Sequence, residues 1–342
     1  MRHTFVLGAA LMFAIGANAQ TNDYTVTSLV TTSQDPHLVN PWGLAHPPKY
    51  RHHNQWWAAD EISGLSTLYS ANGDILPLVV TVPPASGSGT GSPTGIASNS
   101  STPVFAFVTL DGTISTWSAK EKPSKPGVGC YECHVSTATI VVNNAARGAS
   151  YQGLTIAKNA TSGAQTYYVA NANAEVEAYD ATSFSPLTLP AGAFTDARIP
   201  KTYTPAGIQV LETRVFVTYN RTAGGGTGYV DGFDTNGKLL LRLQNGWFNQ
   251  PWGVVSTPAN FGSFSNMILV GNTGSGWIGA YSKTNGTFAG FLQSGGADLT
   301  IPGLWGLGFG DGAPPSGPTD VLYFNAGGAQ QTTGVFGAIA AN

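Results

Sequence analysis

Six copies of one four-strand unit, a Gly- and Pro-rich composition with few charges, and a spare N-terminal strand matching a gap in the last unit predict an all-β, six-bladed β-propeller. The 342 residues include 44 Gly and 21 Pro, with 42% hydrophobic and 10% charged residues. Gly supplies positive φ and Pro fixes φ near −65°, so abundant Gly and Pro without a collagen period mean many tight turns between short strands. A chain of this length can bury a large core, and all-β architectures often reach it as one domain.

In chain order, residues 1–19 place Arg2 and His3 before an apolar run and end in Ala17-Asn18-Ala19, the small residues of a cleavage site. They predict a secretory signal peptide and a protein exported to the periplasm or the cell exterior. The run of about 13 apolar residues falls short of the ~20 needed to cross a bilayer, and no later stretch approaches that length, so no membrane span is expected.

The first unit begins NPWGLA at Asn40, continues as WWAAD ending at Asp60, then GLSTLYSANGD and PLVVTV. The second has SPTGIA from Ser92, FAFVT ending at Thr109, DGTISTWS and TIVV. The third has YQGLTIA from Tyr151, TYYVAN ending at Asn171, AEVEAYDATS and PLTLP. The fourth has TPAGIQV from Thr204, RVFVTY ending at Tyr219, GYVDGFDTNGK and LLLRL. The fifth has QPWGVV from Gln250, MILVGN ending at Asn272, GWIGAYSKTNG and FAGFL. The sixth has GLWGLGF from Gly303, VLYFN ending at Asn325 and GVFGAIA, and then the chain ends one strand short. YTVTSLVTT, Tyr24 to Thr32, supplies the missing outer strand, closing the ring and removing an exposed edge. Residues 24–342 are therefore expected to form a single propeller domain, and a sandwich or β-helix would not require six equivalent G-[LIV] starts.

The phrases DPHLVNPWGLA, GLSTLY, GSPTGIA, DGTISTW, VDGFDTNG, PANFGSFS, GLWGLGFG and LYFNAGG resemble a family of exported bacterial and fungal proteins catalogued mostly as conserved hypothetical. The resemblance covers nearly the whole mature chain and implies fold and export while leaving activity open. At a distance the blades are similar to NHL-repeat propellers and to gluconolactonase-like six-bladed enzymes.

Consecutive strands are antiparallel, so the innermost strand of each blade starts on the face where the second strand ends. The ends of the second strands, Asp60, Thr109, Asn171, Tyr219, Asn272 and Asn325, are then expected to form a polar ring around one mouth. Trp42, Tyr151, Trp252 and Trp305 lie at the starts of the inner strands of the same mouth, with His37 just upstream of the first. Polar groups with aromatic faces around them suit a small-molecule or polysaccharide-like ligand. Asn and Asp at strand ends also bend turns by bonding their own backbone, and PWGL also packs Trp between blades. The gluconolactonase-like resemblance implies a divalent cation such as calcium at a comparable mouth, held by carboxylate and amide oxygens. Asp60 is the one charged member of the ring, a thin ligand set for calcium.

Cys130 and Cys133 are the chain's only cysteines and stand in CYECH beside His134. Cys-x-x-Cys-His is the attachment signature of haem c, with the adjacent His ligating iron. An oxidising compartment equally favours a short Cys130–Cys133 disulfide, and a metal held with His134 is the third alternative. The motif lies between the third and fourth strands of blade two, on the face opposite the polar ring. His46, His52 and His53, between the first two strands of blade one, are expected on that same face.

A net charge of −3, with 15 Lys and Arg residues and no basic run, argues against a nucleic-acid partner. A monomer is expected. Three functions follow: a module binding a small or extended ligand at the ring face, a haem-bearing redox protein, and a cation-assisted lactonase or lyase. No Ser-His-Asp order or paired acid set stands out, so the sequence names no catalytic residue.

Overall fold

The computed structural model describes residues 21–47, 54–100, 105–118, 136–173, 175–244 and 247–342, and within them the strands group into six four-stranded sheets and one small hairpin. After β1 (Tyr24–Thr31), blade 1 holds β2 (Pro41–Ala45), β3 (Trp56–Asp60), β4 (Leu65–Tyr69) and β5 (Val80–Thr81). Blade 2 holds β6 (Pro93–Ser98), β7 (Phe105–Thr109), β8 (Thr113–Trp117) and β9 (Thr139–Asn143). Blade 3 holds β10 (Tyr151–Lys158), β11 (Gln165–Asn171), β12 (Val176–Asp180) and β13 (Pro186–Leu187). Blade 4 holds β14 (Tyr203–Leu211), β15 (Arg214–Arg221), β16 (Gly228–Phe233) and β17 (Leu239–Arg242). Blade 5 holds β18 (Pro251–Ser256), β19 (Met267–Asn272), β20 (Ile278–Ser282) and β21 (Phe288–Phe291), followed by the hairpin of β22 (Gln293–Ser294) and β23 (Ala297–Asp298). Blade 6 holds β24 (Leu304–Phe309), β25 (Val321–Ala326) and β26 (Val335–Ala341), and β1 takes its outer place in the order β1-β26-β25-β24. The chain is a six-bladed propeller closed by its first strand.

The middles of the second strands are mainly apolar because both of their faces are buried, as in WWAAD and FAFVT, where every residue is buried. Side chains alternate along a strand, so the two parities serve different seams between blades. Trp57 and Ala59 pack into the seam with blade 2, whereas Trp56 and Ala58 pack into the seam with blade 6. The same division at the other blades gives hydrophobic clusters that each join successive blades, such as Val217 and Phe233 against Tyr168 and Ala170. The core is thus a set of radial seams, and burial falls outward to the exposed Pro186 and Leu187 of β13.

The glycine repeated in every inner strand has a steric cause. Carbon added at Gly43 would lie 2.8 Å from Ile96 N, at Gly95 2.6 Å from Leu154 N, and at Gly153 2.8 Å from Ala206 O. Gly207, Gly253 and Gly306 continue the circle against the backbone oxygens of Trp252, Trp305 and Trp42. Each inner strand therefore touches the next blade's backbone at a point where a side chain has no room. Just before or around each of these glycines the pairing with the second strand shifts register, for example between Pro41 and Leu44 and between Pro251 and Val254. Such bulges twist the strand and re-aim the residue within them.

Closure runs from Tyr24 opposite Ala341 to Thr31 opposite Val335. Tyr24 is fully buried; its hydroxyl donates to Phe261 O at 3.1 Å and its ring lies 5.0 Å from that of Phe261. Asp23 Oδ1 accepts from Gly295 N and Asp23 Oδ2 from Asn342 Nδ2, both at 2.8 Å, so the residues flanking β1 and β26 are tied to the β22–β23 hairpin. Among the described residues no helix is long and apolar enough to cross a membrane.

Candidate functional site

The strand registers set Asp60, Thr109, Asn171, Tyr219 and Asn272 opposite Pro41, Pro93, Tyr151, Pro205 and Pro251, at one end of the axis. In blade 6 the equivalent position is Ala326, opposite Leu304. The strand runs one residue further than VLYFN suggests, and because side chains alternate, Asn325 faces the other seam. There its Nδ2 donates to Gly43 O of blade 1 at 2.9 Å.

None of the six expected ring residues is more than 5% exposed. Asp60 Oδ2 accepts from Thr67 Oγ1 at 2.9 Å. Thr109 Oγ1 lies 2.7 Å from Thr113 Oγ1, and Asn171 Nδ2 donates to Glu177 Oε1 at 2.8 Å. Asn272 Oδ1 accepts from Asn249 N at 2.9 Å, and the Tyr219 hydroxyl donates to Phe194 O at 2.6 Å. These bonds hold the turns after the second strands and the entries to the inner strands, inside the ends of the seams. Burial pushes the Asp60 carboxyl well above the usual range; the Thr67 bond opposes this and the nearby Asp35 charge adds to it.

Trp42, Trp252 and Trp305 sit in the bulges and meet on the axis. Trp42 stacks on Trp305 with centroids 3.8 Å apart, and Trp252 stands edge-on to them at 6.4 and 5.9 Å. Trp252 Nε1 donates across the axis to Gln152 O of blade 3 at 3.3 Å, and Trp305 Nε1 donates to Asn40 Oδ1 at 3.0 Å. The rings are committed to one another and close this end of the channel. Tyr151 is buried, with its hydroxyl donating to Glu177 Oε2 at 2.9 Å. His37, half-exposed, lies 3.1 Å from Asp35 Oδ1, and Asp35 Oδ2 accepts from the Tyr69 hydroxyl at 2.8 Å.

The other end of the axis holds a cavity of about 440 Å³ lined by all six inner strands. Leu44, Ile96, Leu154, Val210, Val255 and Leu307 supply one apolar wall residue per blade. Ser98, Thr155, Gln209 and Ser256 add uncharged polar groups. Ser98 Oγ is buried without a partner among the described residues, while Thr155 Oγ1 accepts from Val210 N at 3.1 Å. His46 stands at the rim, edge-on to Trp56 at 4.6 Å. Its Nδ1 lies 2.9 Å from Pro47 O, 3.3 Å from Asn54 Oδ1 and 4.0 Å from Asp311 Oδ2, and its Nε2 lies 3.3 Å from Phe309 O. Across the rim Glu212 pairs with Lys283 at 3.2 Å. Nothing in the sequence marked this cavity: the residue after the repeated glycine lines it in blades 1, 2, 3 and 6, but in blades 4 and 5 Ile208 and Val254 do not.

A second unforeseen cluster lies in the seam between blades 3 and 4. Asp231 is fully buried, with Arg242 Nε 3.4 Å from Oδ1 but not aligned for a hydrogen bond. Arg242 also pairs with Asp196, which accepts from Arg198 Nη2 at 3.1 Å. Burial pushes the Asp231 carboxyl up to about 7; Arg242 opposes that shift and Asp196 reinforces it. Burial works against Asp196 too, but hydrogen bonds from Arg198 and Arg242 outweigh it and hold that carboxyl at about 2. Asp231 and Arg242 are cross-strand partners in the last hairpin of blade 4 and Asp196 and Arg198 are two residues apart; only the meeting of these two pairs has no signal in the sequence.

Cys130, Cys133, His134, His52 and His53 lie outside the described residues, as does the 1–19 segment. Among the described residues no group of three or more His, Cys, Asp or Glu side chains is placed to hold a metal ion.

No family model matches the chain. It is similar to uncharacterized proteins of Acanthamoeba polyphaga mimivirus, one 28% identical over 322 residues, 89% of this chain and 76% of the relative. Another is 28% identical over 330 residues, covering 89% of this chain and 81% of its own length. A third is 30% identical over 223 residues, 61% of this chain and 38% of the viral protein. These relatives are viral, whereas the sequence phrases pointed to bacterial and fungal proteins. Among solved structures, the WD40 β-propeller domain of Doa1 aligns over 91% of this chain and 96% of that one, at 12% identity and a TM-score of 0.48. The fold assignment rests on the strand order itself.

Proposed function

We propose that this chain is an exported propeller that binds a small molecule in the axial cavity, entering at the ends of the inner strands. The observation that carries this reading is the cavity's construction: walls from all six blades, with three packed tryptophans behind it. Concave, mostly apolar sites with a few fixed polar groups are where closed β-rings hold ligands. The polar ring enters this reading as support for the closed end, since its side chains are buried in the seams and each makes a bond there, with Asp60 Oδ1 and Asn325 Oδ1 lacking a partner among the described residues. Export is supported by the leader at 1–19.

The test uses N-phenyl-1-naphthylamine, whose fluorescence rises in apolar surroundings, with the mature protein. Ser256→Trp fills the cavity from blade 5 and should abolish the rise while leaving the circular dichroism spectrum unchanged. An undiminished rise in a folded Ser256→Trp protein would overturn the assignment. Should that variant not fold, Gln209→Trp makes the same test from blade 4.

A second reading rests on CYECH, which fits a c-type haem and a redox role as well as it fits a disulfide.

A further inference from the structure

We propose that the outer edge of blade 3 is a strand-addition site for a short extended peptide, separate from the axial cavity and independent of what binds there.

A break in the propeller's repeat marks the place. In the other five blades the chain leaving or ending the outer strand bonds back to the start of the third strand. Val82 N donates to Gly64 O, Leu243 N to Val230 O, Leu292 N to Ile278 O and Thr32 N to Gly334 O at 3.0 Å, and Asn144 N to Gly112 O at 2.9 Å. Among the described residues blade 3 lacks this bond. Its β13 sets Pro186 opposite Tyr179 and Leu187 opposite Ala178 and goes no further. On that register Leu189 belongs opposite Val176, but a turn closed by Ala193 N on Pro190 O at 3.0 Å carries the chain away. A cavity of about 340 Å³ opens there, lined by β12 and by this turn.

Strand parity decides what β12 offers to it. Ala181 N donates to Gln165 O and Asn171 N to Glu175 O, so odd-numbered positions along β12 turn their peptide groups toward β11. Asp180 N donates to Ser185 O on the other side, so even-numbered positions face outward. There Ala178 meets Leu187, whereas Val176 has no backbone partner among the described residues. The Val176 side chain packs in the seam with blade 4, so at the edge the residue offers its N–H and its C=O.

A donor and an acceptor side by side on a strand edge are matched by one residue of another extended chain, which returns both bonds. The span left uncovered, from Glu175 to Glu177, takes about three residues. Charge favours neither sign of peptide, because Arg147 and Glu175 both stand exposed at the cavity. Glu177 is already bonded by Asn171 Nδ2 at 2.8 Å and by the hydroxyls of Tyr151 and Tyr179 at 2.9 and 2.5 Å. Recognition is left to the main chain. The turn at 190–193 walls the cavity, so a short free segment enters where the full edge of a second copy would be held off.

The experiment titrates the mature protein, labelled with nitrogen-15 valine, with N-acetyl-threonyl-valyl-threonine amide by NMR, and Val176→Ile identifies the Val176 resonance. The Val176 amide proton should move downfield as it gains a bond. The same peptide N-methylated at its valine loses the donor and crowds the edge, and should bind at least about tenfold more weakly. Ala191→Trp, at an exposed position of the turn, should abolish the shift with an unchanged circular dichroism spectrum, whereas Ser256→Trp should keep it. An unmoved Val176 amide, equal binding of the N-methylated peptide, or shifts that persist in a folded Ala191→Trp protein would overturn the site. Should Ala191→Trp not fold, the N-methylated peptide decides alone. Loss of the shift in folded Ser256→Trp would move the peptide to the axial cavity, and a Val176 shift that follows protein concentration without peptide would give the edge to a second copy; either overturns the proposal.

Discussion

Trp42 and Trp305 stack 3.8 Å apart with their planes 17° from parallel, across the seam where the first and last blades meet. One residue after each comes the glycine that lets the neighbouring inner strand approach, so the bulge that admits the blades also throws the indoles onto the axis. Structural closure and the closed end of the channel are therefore one device.

Trp305→Ala should cost about 3–5 kcal/mol in urea unfolding, as expected for removing a large buried aromatic. It also frees Asn40 Oδ1, which the indole N–H now satisfies. The pair Trp42→Ala and Trp305→Ala should be non-additive, since each loses the same stack. Simple additivity of the two would show that the stack contributes nothing of its own.

Deleting residues 24–31 should leave β26 as an open edge and cause aggregation, visible by light scattering. The milder Tyr24→Phe should lose about 1 kcal/mol, the value of its buried bond to Phe261 O. A deletion variant that stayed monodisperse with an unchanged melting temperature would refute this account of closure.

Gly207→Ala sets a new carbon against the backbone oxygen of Trp252, which cannot swing aside as a side chain would. A loss at or above the top of the usual overpacking range, about 3 kcal/mol, is expected in chemical denaturation. A neutral effect would mean that the blades part more easily than their packing indicates.

The Asp231 carboxyl, held at about 7 in the fold, binds its proton more tightly than in the unfolded chain, where the ordinary value is 3.8. Its contribution is fully present below about 4 and is lost as pH rises through 7, at most on the order of 4 kcal/mol. Asp196, held at about 2, acts oppositely: its contribution is present above about 4 and fades as pH falls toward 2. Melting temperatures of the parent should therefore fall between pH 4 and 7 more steeply than those of Asp231→Asn. Parallel profiles would remove Asp231 as the titrating group.

For CYECH, a chain exported through a cytochrome c maturation system should be red, show a Soret band and keep its colour on a denaturing gel if haem is attached at Cys130 and Cys133. Ser at both positions should then abolish the colour. A colourless chain whose mass lies two hydrogens below the reduced form would establish the disulfide and end the redox reading.

The sequence by itself determined the blade count, the closing strand and the glycine circle. Backbone packing between blades repeats at every unit, so it leaves the same mark six times, in NPWGLA, SPTGIA, YQGLTIA and their counterparts. It also determined that Asp60, Thr109, Asn171, Tyr219 and Asn272 share one end of the axis, because antiparallel strands leave no other arrangement. Only the tertiary structure decided what those side chains face. Asn325 and Ala326 differ by one residue of register, and that step moves a side chain from one seam to the next. Whether Trp42, Trp252 and Trp305 ring an opening or fill it depends on distances across the axis between blades far apart in the chain. Asp231 and Arg242 meet as cross-strand partners within blade 4, whereas Asp196 reaches Arg242 from the segment that leads from blade 3 into blade 4, a contact no strand pairing sets. Local spacing records contacts that repeat; contacts made once, across the ring, exist only when the ring is closed.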